Sequence, residues 1–383
     1  MRFKDQADFN NQLSEALEGD RLAQARLKEA ITSDQLAPMF VKAANFKFQE
    51  YFDAHETIWD KIATKELLTD FRPASLLSLK PDSTMAPIDN GGYKHPVGTL
   101  PHIPELTPYP TMSYQADGAF ITTAKHGARI QFSFESFIND EWNVIKRFPK
   151  DAATIAARTE DLLVLLQLFD PAKKTLRTDV FNEANKTKAD LGGIPAEIKG
   201  EATGVGGPAT TSNPTLSFDA LVAARYQALA TIRDGHSTYV PEGFVLVTNP
   251  ALAEVAKGYT RINEIRVQNG KRTEIKGNPL KDLEVVTSDL ISVVGGDNGW
   301  VLLPKGGRAN GKTVLAKTGL MGREAPELRI HNKTGQLLGG GDVNPYEGSF
   351  DNDDIEIRIR QIAGAGLVSY DGIIGSTGLP ELA

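Results

Sequence analysis

Apolar residues recur at helical spacing through the first sixty residues of the chain. The pattern begins with Leu13, Ala16 and Leu17 and resumes with Leu22, Ala25 and Leu27. Thr32, Ser33 and Asp34 offer an N-cap for a second helix, and an aromatic-rich segment follows, with Phe46, Phe48, Tyr51, Phe52 and Trp59. No part of this region resembles a compact domain, so the pattern predicts an extended helical arm that packs on something else.

Seven prolines lie between residues 81 and 110. Because proline removes a backbone donor, the stretch is excluded from helix interiors and central strands. A loop of this length is rare inside a compact domain, so the pattern predicts a projecting loop that a neighbouring molecule orders. Apolar and polar residues then alternate from Ala128 to Phe134, and Phe120, Thr122 and Ala124 precede His126 and Gly127. This alternation predicts a hairpin with one apolar face and, with the loop, a long two-stranded arm.

A long helix is predicted next, in two pieces. Asn139 and Asp140 are placed to cap the first piece, and Pro149 is expected to interrupt it before Asp151 opens the second. The second piece is predicted to bury Ile155, Leu162, Leu163, Leu166 and Phe169, with Arg158, Glu160 and Asp161 off that face.

The remaining sequence predicts short strands and short helices. Ser217 is placed to cap one helix, which Gly235 ends, and Asn249 and Pro250 open another that Gly258 closes. Strands are predicted at residues 244–247, 283–286, 300–303 and 313–316, and from Ile355 onward. Few long helices with many separate strands indicate the α+β class.

Composition narrows the possible functions. The chain has 383 residues, a net charge of −7 and no cysteine, which excludes disulfides and thiolate metal sites and fits a reducing cytosol. No apolar run approaches the roughly 18 residues of a membrane span, and residues 1–30 lack the apolar core of a secretion signal. The sequence has no run of five or more basic residues, so we expect any binding of DNA to be weak.

Residues 306–313 (GGRANGKT) satisfy the phosphate-loop pattern, in which backbone amides cradle phosphates. A phosphate loop leads into a helix, whereas the following residues read as a strand, and Gly319 and Gly322 would break a helix. Only 70 residues remain after Thr313, too few for the rest of a nucleotide-binding sheet. The favoured interpretation is a β-hairpin turn, and a phosphate-loop NTPase is kept as the alternative from another class.

The other candidate motifs are weak. Residues 204–209 (GVGGPA) lack the preceding strand of a dinucleotide site, and residues 351–354 (DNDD) lack the glycine and distal glutamate of a calcium loop. The histidines are dispersed as His55, His95, His102, His126, His236 and His331, and the tryptophans as Trp59, Trp142 and Trp300. We therefore predict no catalytic, cofactor-binding or metal-binding residues, no cofactor, and no enzyme activity.

Taken together, these features resemble the major capsid proteins of tailed bacteriophages, whose Hong-Kong-ninety-seven-type shell fold is shared with encapsulins. The likeness covers nearly the whole chain in the order of its elements: helical arm, extended loop, spine helix and strand-rich domain. It rests on short collinear segments: 29–34 (EAITSD), Tyr51, 59–63 (WDKIA), 69–73 (TDFRP), 132–135 (FSFE), 138–140 (IND), 156–161 (AARTED), 216–221 (LSFDAL), and 245–247 (VLV) with Pro250.

The resemblance implies four regions: an N-terminal arm (1–72), an extended loop (73–134), a peripheral domain with the spine helix (135–240, completed by roughly 345–383) and an axial domain (241–344). It implies self-assembly through pentamers and hexamers into an icosahedral head around double-stranded DNA, with portal, scaffold and cement proteins as further partners. The protein is then expected in the virion, assembled in the host cytoplasm and in contact with no membrane. Some members cross-link a Lys and an Asn; Lys94 lies in the loop, but no motif assigns it this role. An encapsulin-like compartment is the alternative within the same fold.

Overall fold

The computed structural model describes residues 36–81, 105–106, 112–116, 120–133, 142–181, 213–230, 232–233, 236–237, 239–269, 272–331, 352 and 354–378. Several sequence predictions fall outside these residues. They are the predicted first helix and the predicted N-cap of the second helix, both before residue 36, and most of the proline-rich loop with Lys94. The predicted caps Asn139 and Asp140, the predicted helix end at Gly235 and the glycine cluster at 204–209 also fall outside.

Helices and strands are both present, and most of the described strand pairs run antiparallel, which confirms the α+β class. The helices are α1 (Leu36–Asp53), α2 (Trp59–Ile62), α3 (Trp142–Leu165), α4 (Phe218–Ala230), α5 (Pro250–Arg261) and α6 (Asp289–Gly295). None of the helices among these residues is both long and apolar enough to cross a membrane.

The strands are mostly short. In chain order they are β1 (Thr64–Leu68), β2 (Leu77–Pro81), β3 (Met112–Ala116), β4 (Ala124–Ser133), β5 (Phe169–Asp170), β6 (Thr175–Leu176), β7 (Ile232–Arg233), β8 (His236–Ser237), β9 (Phe244–Thr248), β10 (Glu264–Asn269), β11 (Arg272–Gly277), β12 (Glu284–Val286), β13 (Trp300–Pro304), β14 (Arg308–Ala309), β15 (Lys312–Thr313), β16 (Leu315–Leu320), β17 (Glu327–Ile330), β18 (Asp354–Leu367) and β19 (Ile374–Ser376).

The chain divides into two compact units, each built from separate stretches of sequence. Unit one contains residues 1–56, 124–160 and 320–363; unit two contains residues 57–123, 161–319 and 364–383. These two units do not correspond to the four regions predicted from the sequence (arm, loop, peripheral domain and axial domain). That four-region division stays a prediction.

In unit one, β18 pairs antiparallel with β4 along one edge and with β17 along the other. The core beneath this sheet joins Phe48 of α1 to Ala152, Ala153 and Ala156 of α3 and to Ile359 of β18. The amide of Leu328 also donates to Oδ1 of Asn45 at 3.3 Å, which ties α1 to β17.

The predicted hairpin at His126 and Gly127 is wrong. Both residues lie within the continuous strand β4, where Gly127 is opposite Arg360 of β18. A Cβ at Gly127 would lie 2.4 Å from the carbonyl oxygen of Ile359, so this glycine permits close approach of two strands instead of turning the chain.

The spine helix differs from its prediction in two ways. Pro149 lies inside the continuous helix α3 and does not interrupt it. Pro149 is buried, and so are Ala152 and Ala153 after it, which indicates that tertiary packing offsets the lost hydrogen bond.

The buried face of α3 also differs from the predicted one. Ile155 is 57% exposed, while Glu160 and Asp161 are 2% and 5% exposed. The face turned inward is lined instead by small residues at helical spacing, Ala152, Ala153, Ala156 and Ala157. Small side chains permit close approach of neighbouring elements, so the largest apolar residues do not mark the inner face. The buried Glu160 accepts a hydrogen bond from Nε2 of Gln361 at 2.9 Å, within unit one.

Unit two contains the larger core, around a sheet of order β12–β9–β13–β19. Strands β12 and β9 run parallel, and the other neighbours run antiparallel. Every residue of β9 and β13 is buried, and Trp300 is fully buried with its Nε1 donating to the Pro214 carbonyl at 3.1 Å. Trp300 is therefore a core residue.

Two predicted helix starts in unit two are confirmed. The Ser217 hydroxyl accepts from the amide of Ala220 at 3.1 Å, and the Asn249 side chain accepts from Leu252 at 2.8 Å ahead of Pro250. The predicted helix ends are less accurate. Helix α4 ends at Ala230, and α5 runs through Gly258 to Arg261, because an exposed glycine inside a helix costs only about 1 kcal/mol.

The segment predicted as an extended loop is described in part. Strands β2 and β3 form an antiparallel ribbon in which Leu77 pairs with Ala116 and Pro81 with Met112. Farther along, Ile121 bridges Ala74, and Ile121 joins Leu68, Ala316 and Val368 in a small separate core. The ribbon is a two-stranded base for the loop, whose outer residues lie outside the described part.

Candidate functional site

The phosphate-loop-like residues form a tight hairpin. Strand β13 ends at Pro304, a 3₁₀ turn follows, and β14 pairs with β15 so that Ala309 is opposite Lys312. Asn310 and Gly311 at the tip have φ values of 53° and 73°, as a two-residue hairpin turn requires. The predicted Gly/Asn turn is confirmed, and strand β16 stands where a phosphate loop needs a helix.

The residues that would hold a nucleotide contact the chain itself. Oγ1 of Thr313 donates to Oε1 of Glu66 at 3.2 Å. A Cβ at the buried Gly307 would lie 2.8 Å from Cα of Ala63, and Oγ1 of Thr64 donates to the carbonyl of Gly306 at 2.9 Å. Gly306 and Gly307 thus pack against a neighbouring stretch of backbone, which we term the anchor segment (residues 57–64).

The start of the anchor segment is held by the buried carboxylate of Asp161 on α3. One oxygen, Oδ1, accepts hydrogen bonds from the backbone amides of Ile58 at 2.8 Å and Trp59 at 3.0 Å. These amides open helix α2, whose own N-cap residue makes no side-chain cap. Asp161 therefore caps α2 from another element, and its negative charge suits the positive end of the helix.

The middle of the anchor segment is fixed by an aromatic contact. Nζ of Lys317 on β16 lies 4.6 Å from the ring centroid of Trp59. Lys317 is only 5% exposed, so the attraction between the ammonium and the ring acts where water screens it weakly.

One ion pair, between Lys61 and Glu284, also holds the anchor segment. The carboxylate of Glu284 lies 2.9 Å from Nζ of Lys305 and 3.1 Å from Nζ of Lys61. The hydrogen bond from Lys305 lowers the pKa of Glu284, partial burial opposes this shift, and Lys61 lowers the pKa further. The same contact with Glu284 raises the pKa of Lys305.

Unit one carries a second polar cluster, around Glu356 of β18. Oε1 of Glu356 accepts from Nε2 of Gln131 at 2.7 Å and lies 3.4 Å from Nη1 of Arg129. Nδ1 of His331 lies 2.9 Å from Oε2. Asp354 begins β18, and its Oδ2 accepts from Gln131 at 3.2 Å, while Asp351 and Asp353 lie outside the described residues.

The arrangement of these groups suits attachment of one chain segment to another. Among the described residues, no group of three or more His, Cys, Asp or Glu side chains could hold a metal ion. The histidines stay dispersed: His126 contacts the Ala363 carbonyl at 3.2 Å, His331 contacts Glu356, and His95 and His102 lie outside the described residues.

Sequence reasoning missed the anchor segment, because its partners come from distant parts of the chain. Asp161 is more than a hundred residues from Ile58, and Gly306 is more than two hundred from Thr64. One local signal was present: an acidic pair, Glu160 and Asp161, at positions that share the inward side of α3 with its buried alanines.

This chain is similar in sequence to one family of known proteins. The family model described as phage capsid protein matches residues 118–376, more than half of the chain. A search of curated proteins finds no match.

Among solved structures, the capsid of the cyanophage P-SCSP1u is 13% identical with a TM-score of 0.43, covering 84% of this chain and 87% of that one. Mycobacterium phage Ogopogo is 17% identical with a TM-score of 0.36, covering 82% and 89%. A virus-like particle from Pyrococcus furiosus is 9% identical with a TM-score of 0.36, covering 86% and 96%. At these values the likenesses are similarities only, and the assignment rests on the family model.

That match runs from just before β4 through α3 and the main sheet of unit two to β19, and it confirms the resemblance predicted from sequence. The chain therefore belongs to the phage capsid protein family.

Proposed function

We propose that this phage capsid protein self-assembles through pentamers and hexamers into a closed icosahedral head around the phage genome. The observation that carries the proposal is the family match over residues 118–376. It is supported by the hairpin at residues 308–313, which stands where the NTPase alternative requires a phosphate loop. A structural role without enzyme activity follows as part of this proposal.

The extended loop and the residues of the arm that precede α1 are proposed to lie on neighbouring subunits, since α1 itself packs in the core of unit one. A ribbon of two strands such as β2–β3 is marginally stable by itself in water, so contacts with another surface would stabilise it.

Portal, scaffold and cement proteins are proposed as further partners, with assembly in the host cytoplasm and residence in the virion. Packaged DNA is proposed to be enclosed without specific binding. The net charge of −7 supports this, because phosphate neutralisation by basic residues supplies most non-specific affinity for DNA.

Negative-stain electron microscopy of the purified chain tests the proposal. We expect closed particles, or rings of five and six subunits, to form from the chain alone or with a scaffold. A protein that stays monomeric under all assembly conditions would contradict it.

An encapsulin-like compartment is the alternative with the same fold. A terminase or portal gene next to the coding sequence would favour the phage head, whereas a cargo protein captured inside the particles would favour the compartment.

A further inference from the structure

Three arginines lie side by side on one face of the sheet in unit one, and we term them the arginine row (Arg129, Arg358 and Arg329). Arg358 of β18 is opposite Arg129 of β4 and opposite Arg329 of β17. Residues opposite each other on antiparallel strands point to the same side of the sheet, with Cβ atoms roughly 4.5–5.5 Å apart. All three arginines are exposed. The row therefore brings three positive charges together at the surface of the unit.

The carboxylates beside the row leave its centre without a counter-charge. Nη1 of Arg129 lies 3.4 Å from Oε1 of Glu356. Nε of Arg329 lies 3.1 Å from Oε1 of Glu327. Arg358, in contrast, makes no hydrogen bond or ion pair with any residue that the structure describes. Because like charges directly opposite each other destabilise a pair of strands, an anion from another molecule would stabilise this arrangement.

A cleft of about 540 Å³ opens beside the arginine row. Glu327 and Arg360 lie in its wall, and they form the next pair on the same face of the sheet after the row. Asn45 and Gln49 of α1 and residues 322–326 line other parts of it, and all of these residues belong to unit one. A concave site next to a row of cations suits a chain segment that carries an anionic group.

The row fits a carboxylate better than a nucleic-acid backbone. Guanidinium groups can bind either carboxylate or phosphate oxygens. Along the strands, however, the row has a glutamate on each side, Glu356 two residues before Arg358 and Glu327 opposite Arg360. A DNA strand carries further phosphates beyond the row, and the two glutamates would repel them. A short acidic segment of a protein can instead place its charge on the row alone.

Unit one also has an exposed acidic surface where α1 ends, which we term the acidic end (Glu50, Asp53 and Glu56). Glu50 lies 2.9 Å from Nζ of Lys47, whereas Asp53 and Glu56 contact no cation in the part of the chain that the structure describes. Helix α1 ends at Asp53, and negative charge is unfavourable at the C-terminal end of a helix. A cation from another molecule would therefore stabilise the acidic end.

We propose that the arginine row of one subunit binds the acidic end of α1 in a second copy of this chain. The inference rests on the proposed function and specifies one of its contacts. Both surfaces belong to unit one, so every subunit supplies one of each and the contact can repeat throughout a shell. Complementary charges of this kind orient two surfaces and disfavour wrong pairings.

An exchange of charge between the two surfaces tests the proposal. Arg358→Glu should lower the fraction of subunits in closed particles at least about fivefold at physiological ionic strength, because an attractive contact becomes repulsive in every subunit. Asp53→Arg should cause a similar loss, and the double variant with both changes should recover most of the particles. Arg261→Glu, at an exposed arginine of unit two, is the control and should leave the fraction unchanged.

The melting temperature of the unassembled subunit separates this role from a purely structural one. Arg358→Glu removes the central like charge, so the melting temperature should stay unchanged or rise. A lower melting temperature would place a partner for Arg358 within the same chain and would overturn the proposal.

Equal particle yields for wild type and Arg358→Glu would overturn the contact, and so would a loss that the double variant does not recover or that Arg261→Glu equals. Weaker binding of duplex DNA by Arg358→Glu with normal particles would assign the row to nucleic acid instead. A wild-type chain that forms no particles would contradict the proposed function, and sedimentation velocity then decides the contact separately. Concentration-dependent self-association that Arg358→Glu weakens and the double variant restores supports it, whereas unaffected or absent self-association refutes it.

Discussion

At the scale of single residues, buried polar groups hold this molecule together at points that apolar patterning does not mark. Asp161 is the clearest case, because one carboxylate oxygen satisfies two backbone amides at the start of α2. Removing the acceptor leaves those amides without this partner in a site that is largely shielded from water.

We expect Asp161→Ala to lower the free energy of unfolding by about 1–3 kcal/mol, the usual cost of such a loss. Asp161→Asn should cost less, since an amide oxygen can still accept both bonds. Asp151→Ala is the control, as Asp151 is an exposed aspartate on the same helix. Equal losses for Asp161→Ala and Asp151→Ala in urea titrations would show that the contact with the anchor segment contributes nothing.

The ion pairs of Glu284 predict a pH dependence. The pKa of Glu284 is lowered below its ordinary 4.5, so its contribution to stability is present above that value and disappears as the pH falls through the folded-state pKa. Glu284→Gln should therefore melt at a lower temperature than the wild type at neutral pH, and the gap should close in acid. Partial exposure limits the effect to about 1 kcal/mol or less.

Asp282→Asn, an exposed change nearby, serves as the control for the Glu284 experiment. A gap between wild type and Glu284→Gln that stays constant from neutral pH into acid would contradict the assignment.

Local signals predicted the residues whose role is local. Asn249 caps α5, and Asn310 and Gly311 turn the hairpin, because cap and turn chemistry depends on adjacent backbone. Gly127 and Asp161 were misread, because the groups that they meet, in β18 and in the anchor segment, are distant in sequence.

At the scale of elements, strand β4 shows how a glycine can be structural without forming a turn. We expect Gly127→Ala to lower the free energy of unfolding by about 1–3 kcal/mol, since the added methyl group meets the backbone of β18. Gly258→Ala should instead raise it by about 0.5–1 kcal/mol, because Gly258 lies in a helix with no atom near the added group. Differential scanning calorimetry of both variants would measure the contrast, and a loss of the same size at both positions would refute it.

The hairpin of β14 and β15 gives a second prediction for an element. Because residues 306–313 pack on residues 62–66, ATP with Mg²⁺ should not shift the melting temperature of the wild type or of Lys312→Ala. A nucleotide-dependent shift that is lost in Lys312→Ala would restore the NTPase alternative.

The existence of most described elements was predictable, whereas their partners were not. Helix α3 and strands β9, β13 and β18 follow directly from apolar periodicity and length. The inward face of α3 does not, since alanines and two acidic residues define it and their burial depends on elements elsewhere in the chain.

At the scale of the whole molecule, a long chain folds into two compact units, yet it carries segments poorly suited to bury themselves. Residues 81–110 combine seven prolines with apolar residues such as Ile88, Val97 and Leu100. Laid on a neighbouring subunit, such side chains would contribute roughly 25 cal/mol per Å² of buried apolar area. The order of these segments indicated the phage capsid protein family, and the family match confirms that membership.

Electron microscopy of a loop-deletion variant tests the central claim most directly. Residues 85–110 are replaced by a short Gly/Ser linker, which retains both strands of the β2–β3 ribbon. We predict that the variant keeps its circular dichroism spectrum and cooperative melting, while closed shells are lost or become irregular under conditions where the wild type assembles. Regular closed particles from the variant would contradict the role of this loop as a clamp between subunits, and complete unfolding would place the loop in the subunit's own core.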